Sequence, residues 1–228
     1  MGIDNIDATY AKEKGIEVQN TPLASSASVA ELVIGHMFSL ARFIYDANVT
    51  MRAGKWEKKR YEGIELAGKT LGLIGLGRIG RCTAKMAAAL GMKVIYYDIT
   101  GYLPENEPSV CVYLDELFAK SDFISLHVPK TDAPIITADA ISKMKDGVFL
   151  INTARAALID TKALLKALDS GKIAGAALDV FDEEPIKDPA VYTHPKISMT
   201  PHIGASTVEA QLRIGENIVQ IISDKFKK

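Results

Sequence analysis

The feature that most constrains this chain is a glycine-rich turn between a short apolar strand and a helix. Residues 71–80 read LGLIGLGRIG, a strand followed by the spacing Gly75-x-Gly77-x-x-Gly80 and a helix start. In such a turn the first glycine permits a tight bend, the second lets the backbone approach a pyrophosphate, and the third permits close packing of helix on strand. The helix N-terminus also directs free N–H groups and a positive dipole end at the anion. The motif therefore predicts a dinucleotide site.

The remaining chain alternates short apolar runs with helical segments, which is typical of a parallel sheet covered by helices on both faces. We predict an α/β fold with a doubly wound parallel sheet of the Rossmann type. The predicted strands are Ile16–Val18, Thr70–Leu76, Lys93–Tyr97, Phe123–Val128, Val148–Asn152, Ile173–Val180 and Ile197–Met199. The predicted helices are Ser28–Ala47, Ile79–Leu90, Leu114–Lys120, Ala138–Met144, Thr161–Ser170 and Ser206–Phe226. Ser25 or Ser28 is expected to cap the first of these helices, with Glu31 completing a capping box.

An acidic residue at the end of the second main strand indicates which dinucleotide binds. Asp98 follows the glycine turn by about twenty residues, the spacing typical of this fold. Its carboxylate can accept both ribose hydroxyls of the adenosine and would repel a 2′-phosphate. Ile99 and Thr100 come next, and no Arg or Lys lies beside Asp98 in the sequence. The pattern favours NAD over NADP.

Polar residues follow three further strands, in segments 152–155, 179–185 and 200–204. Ligands of open α/β sheets bind at the carboxyl ends of the strands, so these segments are expected to converge. Arg155 could hold a carboxylate by two parallel hydrogen bonds. His202 could take the proton of a hydroxyl group as hydride leaves. A carboxylate hydrogen-bonded to that imidazole would fix its tautomer.

At these positions the chain resembles the D-isomer-specific 2-hydroxyacid dehydrogenases, from Gly2 to about Phe226. The shared motifs are Gly-Ile-Asp-Asn-Ile-Asp (2–7), Gly-Leu-Gly-Arg-Ile-Gly (75–80), Asn-Thr-Ala-Arg (152–155), Asp-Val-Phe-x-x-Glu-Pro (179–185) and Pro-His-Ile-Gly-Ala-Ser-Thr (201–207). Within the family, segments 55–61, 65–72 and 202–211 look most like phosphoglycerate dehydrogenases.

The resemblance assigns roles to individual residues of this chain. It implies that His202 is the acid/base, Glu184 its orienting partner and Arg155 the clamp for the substrate carboxylate. It also implies that Asp179 binds the nicotinamide carboxamide. The expected contacts of the NAD cofactor are Gly75, Gly77, Arg78, Ile79, Gly80, Asp98, Thr153, Asp179, His202 and Gly204. No metal is expected.

The reaction implied is oxidation of 3-phospho-D-glycerate to 3-phosphohydroxypyruvate with NAD, the entry to serine synthesis. Glyoxylate/hydroxypyruvate reduction, or another D-2-hydroxyacid dehydrogenase activity, is the alternative within the same chemistry. A different class remains open, because relatives of this fold serve as transcriptional corepressors. The chain could then be an NAD-binding interaction protein without catalysis, or an inactive fragment that only dimerises.

The resemblance also predicts a division of the chain. Residues 1–24 would be a remnant of a substrate-binding domain with its hinge, 25–209 the NAD-binding domain, and 210–228 a helix returning toward the substrate domain. Family members carry a further substrate-binding segment before the first motif, so we expect only a remnant of it here. A second departure is Ala156-Ala157, where the family usually has Gly-Gly, and two added methyl groups could shift the backbone near the clamp.

The composition of the chain limits the kinds of partner that it is expected to bind. A net charge of -1 favours neither nucleic acid nor an anionic membrane, and no apolar stretch approaches the roughly 20 residues of a bilayer span. The basic run Lys55–Arg60, with Trp56, resembles the family's dimerisation arm and predicts a homodimer. Cys82 and Cys111 form no metal-binding pattern and suit a reducing compartment. With no signal peptide expected before Gly2, we predict a cytoplasmic protein acting on a small 2-hydroxy acid.

Two histidines outside the motifs are expected to be structural. His36 lies on the apolar face of the first long helix, which indicates a packed or interface residue. His127 ends a strand just before Pro129 and could approach the cofactor, although a structural role is favoured.

Overall fold

A computed structural model of the protein describes Gly2 and residues 6–103 and 109–226. The seven-stranded sheet is parallel and has the order β3-β2-β1-β4-β5-β6-β7. Its strands are β1 Thr70–Ile74, β2 Lys93–Tyr97, β3 Val110–Cys111, β4 Phe123–Leu126, β5 Val148–Asn152, β6 Ile173–Leu178 and β7 Ile197–Met199. The strand order reverses direction between β1 and β4, which creates a crevice at their carboxyl ends where such folds bind ligands.

Helices cover both faces of this sheet. They are α1 Ala8–Glu13, α2 Ser26–Arg42, α3 Ile44–Arg52, α4 Arg78–Ala89, α5 Leu114–Lys120, α6 Ala138–Ser142, α7 Thr161–Ser170, α8 Pro189–Tyr192 and α9 Val208–Phe226. Short 3-10 turns occupy Lys58–Arg60 and Ala156–Leu158. The predicted fold class, an α/β protein with a doubly wound parallel sheet, is confirmed.

Two hydrophobic layers hold the helices to the sheet. On one face, Val33 and Met37 of α2 and Ala84 and Ala87 of α4 are buried against the strands. The other face is covered by α5, α6 and α7, whose buried side chains include Leu117, Phe118, Ile141, Leu164 and Leu168. The central strands are apolar on both sides because each faces a helix layer, as in Phe-Ile-Ser-Leu of β4.

Capping residues end α7 on both sides at the positions that the sequence predicts. The Asp160 side chain accepts a hydrogen bond from the Ala163 N–H at 3.0 Å, which satisfies one of the free donors of the first turn. Gly171, with φ of 80°, ends the helix in the left-handed conformation that glycine adopts at no steric cost.

The first long helix differs from its prediction. Instead of one helix over Ser28–Ala47, the chain forms α2 and α3, which meet at an angle of 64°. The break lies at Phe43, whose φ of 54° is left-handed. The Phe43 ring packs against Tyr61 at a centroid distance of 5.9 Å, so a contact from the following arm accompanies the break. Hydrophobic periodicity cannot show it, because the apolar spacing continues across the bend.

The predicted capping box is also wrong. Ser25, not Ser28, occupies the N-cap position of α2, and no side-chain cap bond is made there by any residue the structure describes. Ser28 lies inside the helix, where its hydroxyl is 2.8 Å from that of Thr207. A tertiary partner 179 residues away therefore replaces the local one.

Other predicted elements shift or disappear. Residues 16–18 pair with no strand in the described part of the chain, and the last helix begins at Val208 rather than Ser206. The two-residue strand β3 and the one-turn helix α8 are too short to show a period in the sequence. The remaining strands and helices lie within a few residues of their predicted bounds.

The segment before α2 packs against α9. The Arg213 Nε donates to the Ala24 carbonyl at 2.8 Å, and Lys225 forms an ion pair with Glu17. The division at residues 24 and 209 remains a prediction. Within the first motif, residues 3–5 lie outside the described residues.

Among described helices, no single one has the length and apolarity to cross a membrane, although the bent pair α2–α3 meets both criteria together.

Candidate active site

The glycine turn has the conformation that its sequence predicts. Gly75 has φ of 93°, and a Cβ there would lie 2.8 Å from the His127 carbonyl oxygen. A Cβ on Gly80 would lie 2.4 Å from the Gly75 carbonyl oxygen, so only glycine lets α4 approach β1 this closely. These two glycines set the path of the turn.

Gly77 serves a different purpose, because it faces open space. A Cβ there would meet no heavy atom of the described residues within 4 Å. Gly77 is the N-cap of α4, and no described side chain caps the helix, so the first-turn N–H groups of Arg78, Ile79 and Gly80 lack a capping partner. Unpartnered donors beside an open space fit the pyrophosphate of a dinucleotide.

Asp98 is bound into the same turn. Its Oδ2 accepts the Leu76 N–H at 2.8 Å, while Oδ1 accepts the Thr100 N–H at 3.0 Å and the Thr100 hydroxyl at 2.7 Å. Burial raises the pKa of Asp98, but these hydrogen bonds and the nearby charge of Arg81 outweigh it and lower the pKa overall. Although no cation is adjacent in sequence, the fold brings Arg81 of α4 close.

The end of β5 contains an unsatisfied hydroxyl. Thr153 Oγ1 is buried, and no described residue offers it a hydrogen bond. A buried polar atom without a partner is costly, so it indicates a position that a ligand completes. Next to it, Asn152 shapes the turn that leads to Arg155, since its Nδ2 donates to the Arg155 carbonyl at 2.8 Å. Its Oδ1 accepts the Ala154 N–H at 3.0 Å.

His202 and Glu184 form the central pair of the site. His202 Nδ1 lies 2.7 Å from Glu184 Oε2, and the second carboxylate oxygen, Oε1, accepts the Phe181 N–H at 3.2 Å. Burial raises the pKa of Glu184, but the hydrogen bond from His202, the Phe181 N–H and the charges of His202 and Arg155 together lower it. An ionised Glu184 has no proton to share, so the hydrogen between the pair is on His202 Nδ1.

Arg155 lies close enough for its charge to act on Glu184. Its Nη1 donates to the Ala154 carbonyl at 2.6 Å, which restrains the guanidinium group. Ala156 and Ala157, the departure from Gly-Gly, lie in and just after the start of a 3-10 turn, and neither has a positive φ. The added methyl groups therefore cause no backbone strain. The three predicted catalytic residues are brought together at the ends of β5, β6 and β7.

The backbone of His202 has an uncommon conformation. Its φ is 55°, in the left-handed region that residues with a Cβ seldom occupy. The His202 N–H donates to the Thr200 carbonyl at 3.0 Å, closing a three-residue turn around Pro201. Such conformations persist only where the surroundings hold them, and they concentrate at functional sites.

Asp179 holds the other side of this loop. It is 1% exposed and accepts the Thr200 hydroxyl at 2.6 Å, the Ile203 N–H at 2.8 Å and the Gly204 N–H at 2.9 Å. Three of about four acceptor positions on the carboxylate are thus occupied by the loop itself. The motif alone did not reveal this structural role. That Asp179 binds the nicotinamide carboxamide stays a prediction.

His127 has a structural environment beneath the glycine turn. Its Nε2 lies 3.0 Å from the Ser125 hydroxyl, and burial lowers its pKa to about 4. A neutral imidazole thus supports the turn at neutral pH. A cavity of about 360 Å³ lies between β5, β6 and α7 and is lined by apolar and charged side chains, but Arg155, Glu184 and His202 do not line it. No cluster of three or more potential metal ligands occurs among residues 6–103 and 109–226.

The two kinds of glycine in the turn predict different effects of the same substitution. Gly80→Ala places a methyl group against a backbone oxygen, so we expect a loss of about 1–3 kcal/mol in the free energy of unfolding. Gly77→Ala meets only open space and should leave stability within about 0.5 kcal/mol, yet weaken dinucleotide binding at least about tenfold by blocking backbone approach.

Urea denaturation and calorimetric titration with NAD measure the two effects separately. If Gly77→Ala bound NAD as tightly as the unsubstituted chain, the pyrophosphate would not approach at this residue.

Comparison with known proteins agrees with this geometry. A family model described as "D-isomer specific 2-hydroxyacid dehydrogenase, NAD binding domain" matches residues 34–204. A hydroxypyruvate reductase of Thermotoga maritima is 53% identical over 228 residues, covering 97% of this chain and 74% of the relative. A D-3-phosphoglycerate dehydrogenase of Methanocaldococcus jannaschii is 49% identical over 235 residues, covering 100% of this chain but only 44% of the relative.

Among solved structures, a glyoxylate reductase from Paecilomyes thermophila superposes with a TM-score of 0.92 at 40% identity. The match covers 99% of this chain and 70% of that chain. The family match includes the glycine turn, Asp98, Arg155, Glu184 and His202. This chain belongs to the D-isomer specific 2-hydroxyacid dehydrogenases, a family of NAD-dependent oxidoreductases, and contains their NAD-binding domain.

Proposed function

We propose that the protein interconverts a D-2-hydroxy acid and the corresponding 2-oxo acid with NAD. The observation that carries this proposal is the contact of 2.7 Å between His202 Nδ1 and Glu184 Oε2, with the Arg155 charge close by. Bound NAD supplies the hydride acceptor at its nicotinamide ring. The chain's own residues must then hold the substrate carboxylate and receive the hydroxyl proton.

The hydrogen-bond directions support an acid/base role for His202. With the proton on Nδ1 shared with Glu184, a neutral His202 has its free electron pair on Nε2. Nε2 can accept the hydroxyl proton while the C2–H hydride leaves, and it returns that proton to the oxygen in the reverse direction. Glu184 stabilises the imidazolium that forms and keeps the ring oriented.

Arg155 supplies the positive charge for the substrate. A guanidinium group can bind a carboxylate by two parallel hydrogen bonds, which fixes the orientation of a 2-hydroxy acid as well as its position. The bond from Arg155 to the Ala154 carbonyl limits the side chain's freedom before substrate arrives. Positioning of this kind can contribute about 7 kcal/mol or more to a two-substrate reaction.

We further propose 3-phospho-D-glycerate as the substrate, oxidised to 3-phosphohydroxypyruvate at the start of serine synthesis. Its support is the similarity of segments 55–61, 65–72 and 202–211 and the relatives named D-3-phosphoglycerate dehydrogenase. Hydroxypyruvate is the second candidate because the Thermotoga relative named for it is 53% identical. The two oxo acids share the reacting carbons and differ only in the phosphate on C3.

His202→Asn tests the chemistry, because asparagine also tolerates a left-handed φ and should preserve the loop. We expect kcat to fall by roughly 10² to 10⁴ with NAD affinity unchanged. Arg155→Ala should lower kcat and, in addition, strongly raise the KM for the oxo acid, because it removes the group that binds the substrate carboxylate. The assay follows NADH oxidation with 3-phosphohydroxypyruvate and with hydroxypyruvate, and the ratio of the two kcat/KM values decides the substrate.

His194→Asn is the matched control, because His194 bonds Asp169 and the Lys196 N–H outside the site. Normal turnover by His202→Asn would reject the acid/base role. An unsubstituted protein that binds NAD but turns over neither oxo acid would favour a non-catalytic interaction protein.

We propose NAD rather than NADP as the preferred cofactor, on the basis of the Asp98 carboxylate. At the end of β2, its lowered pKa keeps the negative charge at neutral pH, and that charge opposes a 2′-phosphate. NAD should bind at least about tenfold more tightly than NADP, and Asp98→Asn should narrow this difference because it removes the charge. Fluorescence titration of both cofactors measures it, with Asp115→Asn, an exposed acidic residue on α5, as control. Equal affinities in the unsubstituted protein would contradict the proposal.

We also propose that the protein is a homodimer assembled through α3 and the arm that follows. Side chains there are unusually exposed for their size, with Tyr45 at 65%, Met51 at 53% and Trp56 at 79%. Several large exposed apolar side chains in one segment of the chain support an interaction site there, and two-fold dimers are the commonest closed assembly. A cytoplasmic location belongs to the same proposal, supported by the free thiols of Cys82 and Cys111.

Light scattering at micromolar concentration should give twice the monomer mass, and Tyr45→Asp combined with Trp56→Ser should give the monomer. Ile99→Ser, which changes a side chain exposed at 90% elsewhere on the surface, should leave the dimer intact. A monomer in the unsubstituted protein would contradict the assignment.

A further inference from the structure

A buried histidine that the proposed reaction does not use lies behind the catalytic loop. His36, on α2, is 4% exposed. Its Nε2 is 3.1 Å from the Thr200 hydroxyl and its Nδ1 is 3.3 Å from the Ser198 hydroxyl. Both ring nitrogens therefore face β7 and the residue that follows it, two positions before His202.

From His36, hydrogen bonds continue to the backbone on the far side of His202. The Thr200 hydroxyl lies between His36 and Asp179, whose Oδ1 it contacts at 2.6 Å. Asp179 in turn accepts the N–H groups of Ile203 and Gly204. The path therefore ends at the two residues that follow His202.

The directions of these hydrogen bonds identify the tautomer of His36. Asp179 also accepts two backbone N–H groups, so it is a carboxylate and the Thr200 hydroxyl donates its one proton to it. Toward His36, the Thr200 oxygen can then only accept, and His36 Nε2 must carry a hydrogen. In the neutral ring Nδ1 then carries no hydrogen, and it faces the Ser198 hydroxyl, whose one proton also lies within reach of Ser39 Oγ at 3.5 Å.

We propose that His36 is a positioning residue for the acid/base His202, acting through Thr200 and Asp179. By donating to Thr200, it orients the hydroxyl so that its proton points at Asp179. Asp179 then keeps Ile203 and Gly204 in the place that holds His202 left-handed and directed at Glu184. The inference rests on the proposed dehydrogenase function but concerns a residue outside the motifs of the family.

The charge state of His36 suits this role. Burial lowers its pKa, while the negative charge of Asp179 partly opposes that effect, and the pKa remains below its ordinary value. A neutral ring at neutral pH supplies one N–H donor, which matches the accepting hydroxyl oxygen of Thr200. A leucine of similar size could fill the same volume but could not orient either hydroxyl.

The strain at His202 explains why such support is needed. A residue with a Cβ and φ of 55° has more favourable conformations available, so its neighbours must hold it in place. The contact to Glu184 lies at an exposed surface, with 56% of the His202 side chain accessible, and cannot hold the loop by itself. A loop displaced by about 1 Å can lower turnover by as much as about a hundredfold.

The test compares His36→Leu, which removes both ring nitrogens, with His36→Gln, whose side-chain amide can still donate to Thr200. In His36→Leu, hydrogen exchange of the Ile203 and Gly204 amides measured by NMR without cofactor should accelerate at least about fivefold. Exchange at Leu126 and Leu150 in the central strands should not change. His36→Gln should restore most of the protection. His194→Leu, the same replacement outside the site, should change neither pair of amides.

Kinetics provide a second readout. His36→Leu should lower kcat about tenfold or more while KM for the oxo acid and the affinity for NAD stay nearly constant. Thr200→Val should have a similar effect. If His36 acts through Thr200, adding His36→Leu to Thr200→Val should have little further effect on kcat or exchange, because coupled residues are not additive.

Three outcomes would overturn the proposal. Unchanged exchange at Ile203 and Gly204 in His36→Leu would show that His36 does not hold the loop. Equal acceleration at Leu126 and Leu150, with no rescue by His36→Gln, would assign it a general packing role. Fully additive effects with Thr200→Val would show that it acts by another route. If the unsubstituted protein turns over no substrate, the proposed function fails, whereas the exchange measurements still decide the positioning role.

Discussion

The arrangement of this site depends on one buried carboxylate, that of Asp179 at the end of β6. An ionised group with 1% exposure is stable only if hydrogen bonds replace its lost hydration. Its donors are the Thr200 hydroxyl and the N–H groups of Ile203 and Gly204, all from the loop after β7. If the loop moved away, the buried Asp179 carboxylate would lose its hydrogen-bond donors. Because Thr200 precedes His202 and Ile203 and Gly204 follow it, the same hydrogen bonds hold His202 in place. The hydrogen bonds that a buried carboxylate requires therefore also fix the backbone on both sides of His202, the proposed acid/base residue.

The same device occurs on the other side of the crevice. Asp98, at the end of β2, accepts the Leu76 N–H from the turn that follows the neighbouring strand β1. In each half, an aspartate at one strand end ties down the loop of the adjacent strand. One loop would receive the pyrophosphate and the other carries His202, so both halves of the site are organised before a ligand binds. Groups that are already oriented need not be rearranged during the reaction. This preorganisation is the main source of electrostatic catalysis.

Local patterns explain what the sequence could predict. The glycine turn, the alternation of strands and helices, and the caps of α7 each depend on residues within a few positions of one another. The break at Phe43, the approach of Arg81 to Asp98, and the bonds of His36 depend instead on tertiary contacts. His36 and Thr200 are 164 positions apart, and the apolar periodicity of α2 marks His36 only as a buried position. Motifs predicted which residues carry the chemistry, but they could not predict the hydrogen bonds that hold those residues in place.

The residues proposed for the chemistry differ in solvent exposure from the residues that support them. The side chains of His202 and Glu184 are 56% and 39% exposed, and an ion pair this open to water contributes little stability by charge attraction alone. Its short distance must therefore be set by the backbone on each side. Glu184 is held by the Phe181 N–H, and His202 by the loop that Asp179 fastens. Substrate can reach an exposed pair, while the buried support resists the solvent that would otherwise compete for the same hydrogen bonds. The residues proposed for the chemistry, His202 and Glu184, are thus exposed, whereas the residue that holds their loop, Asp179, is buried.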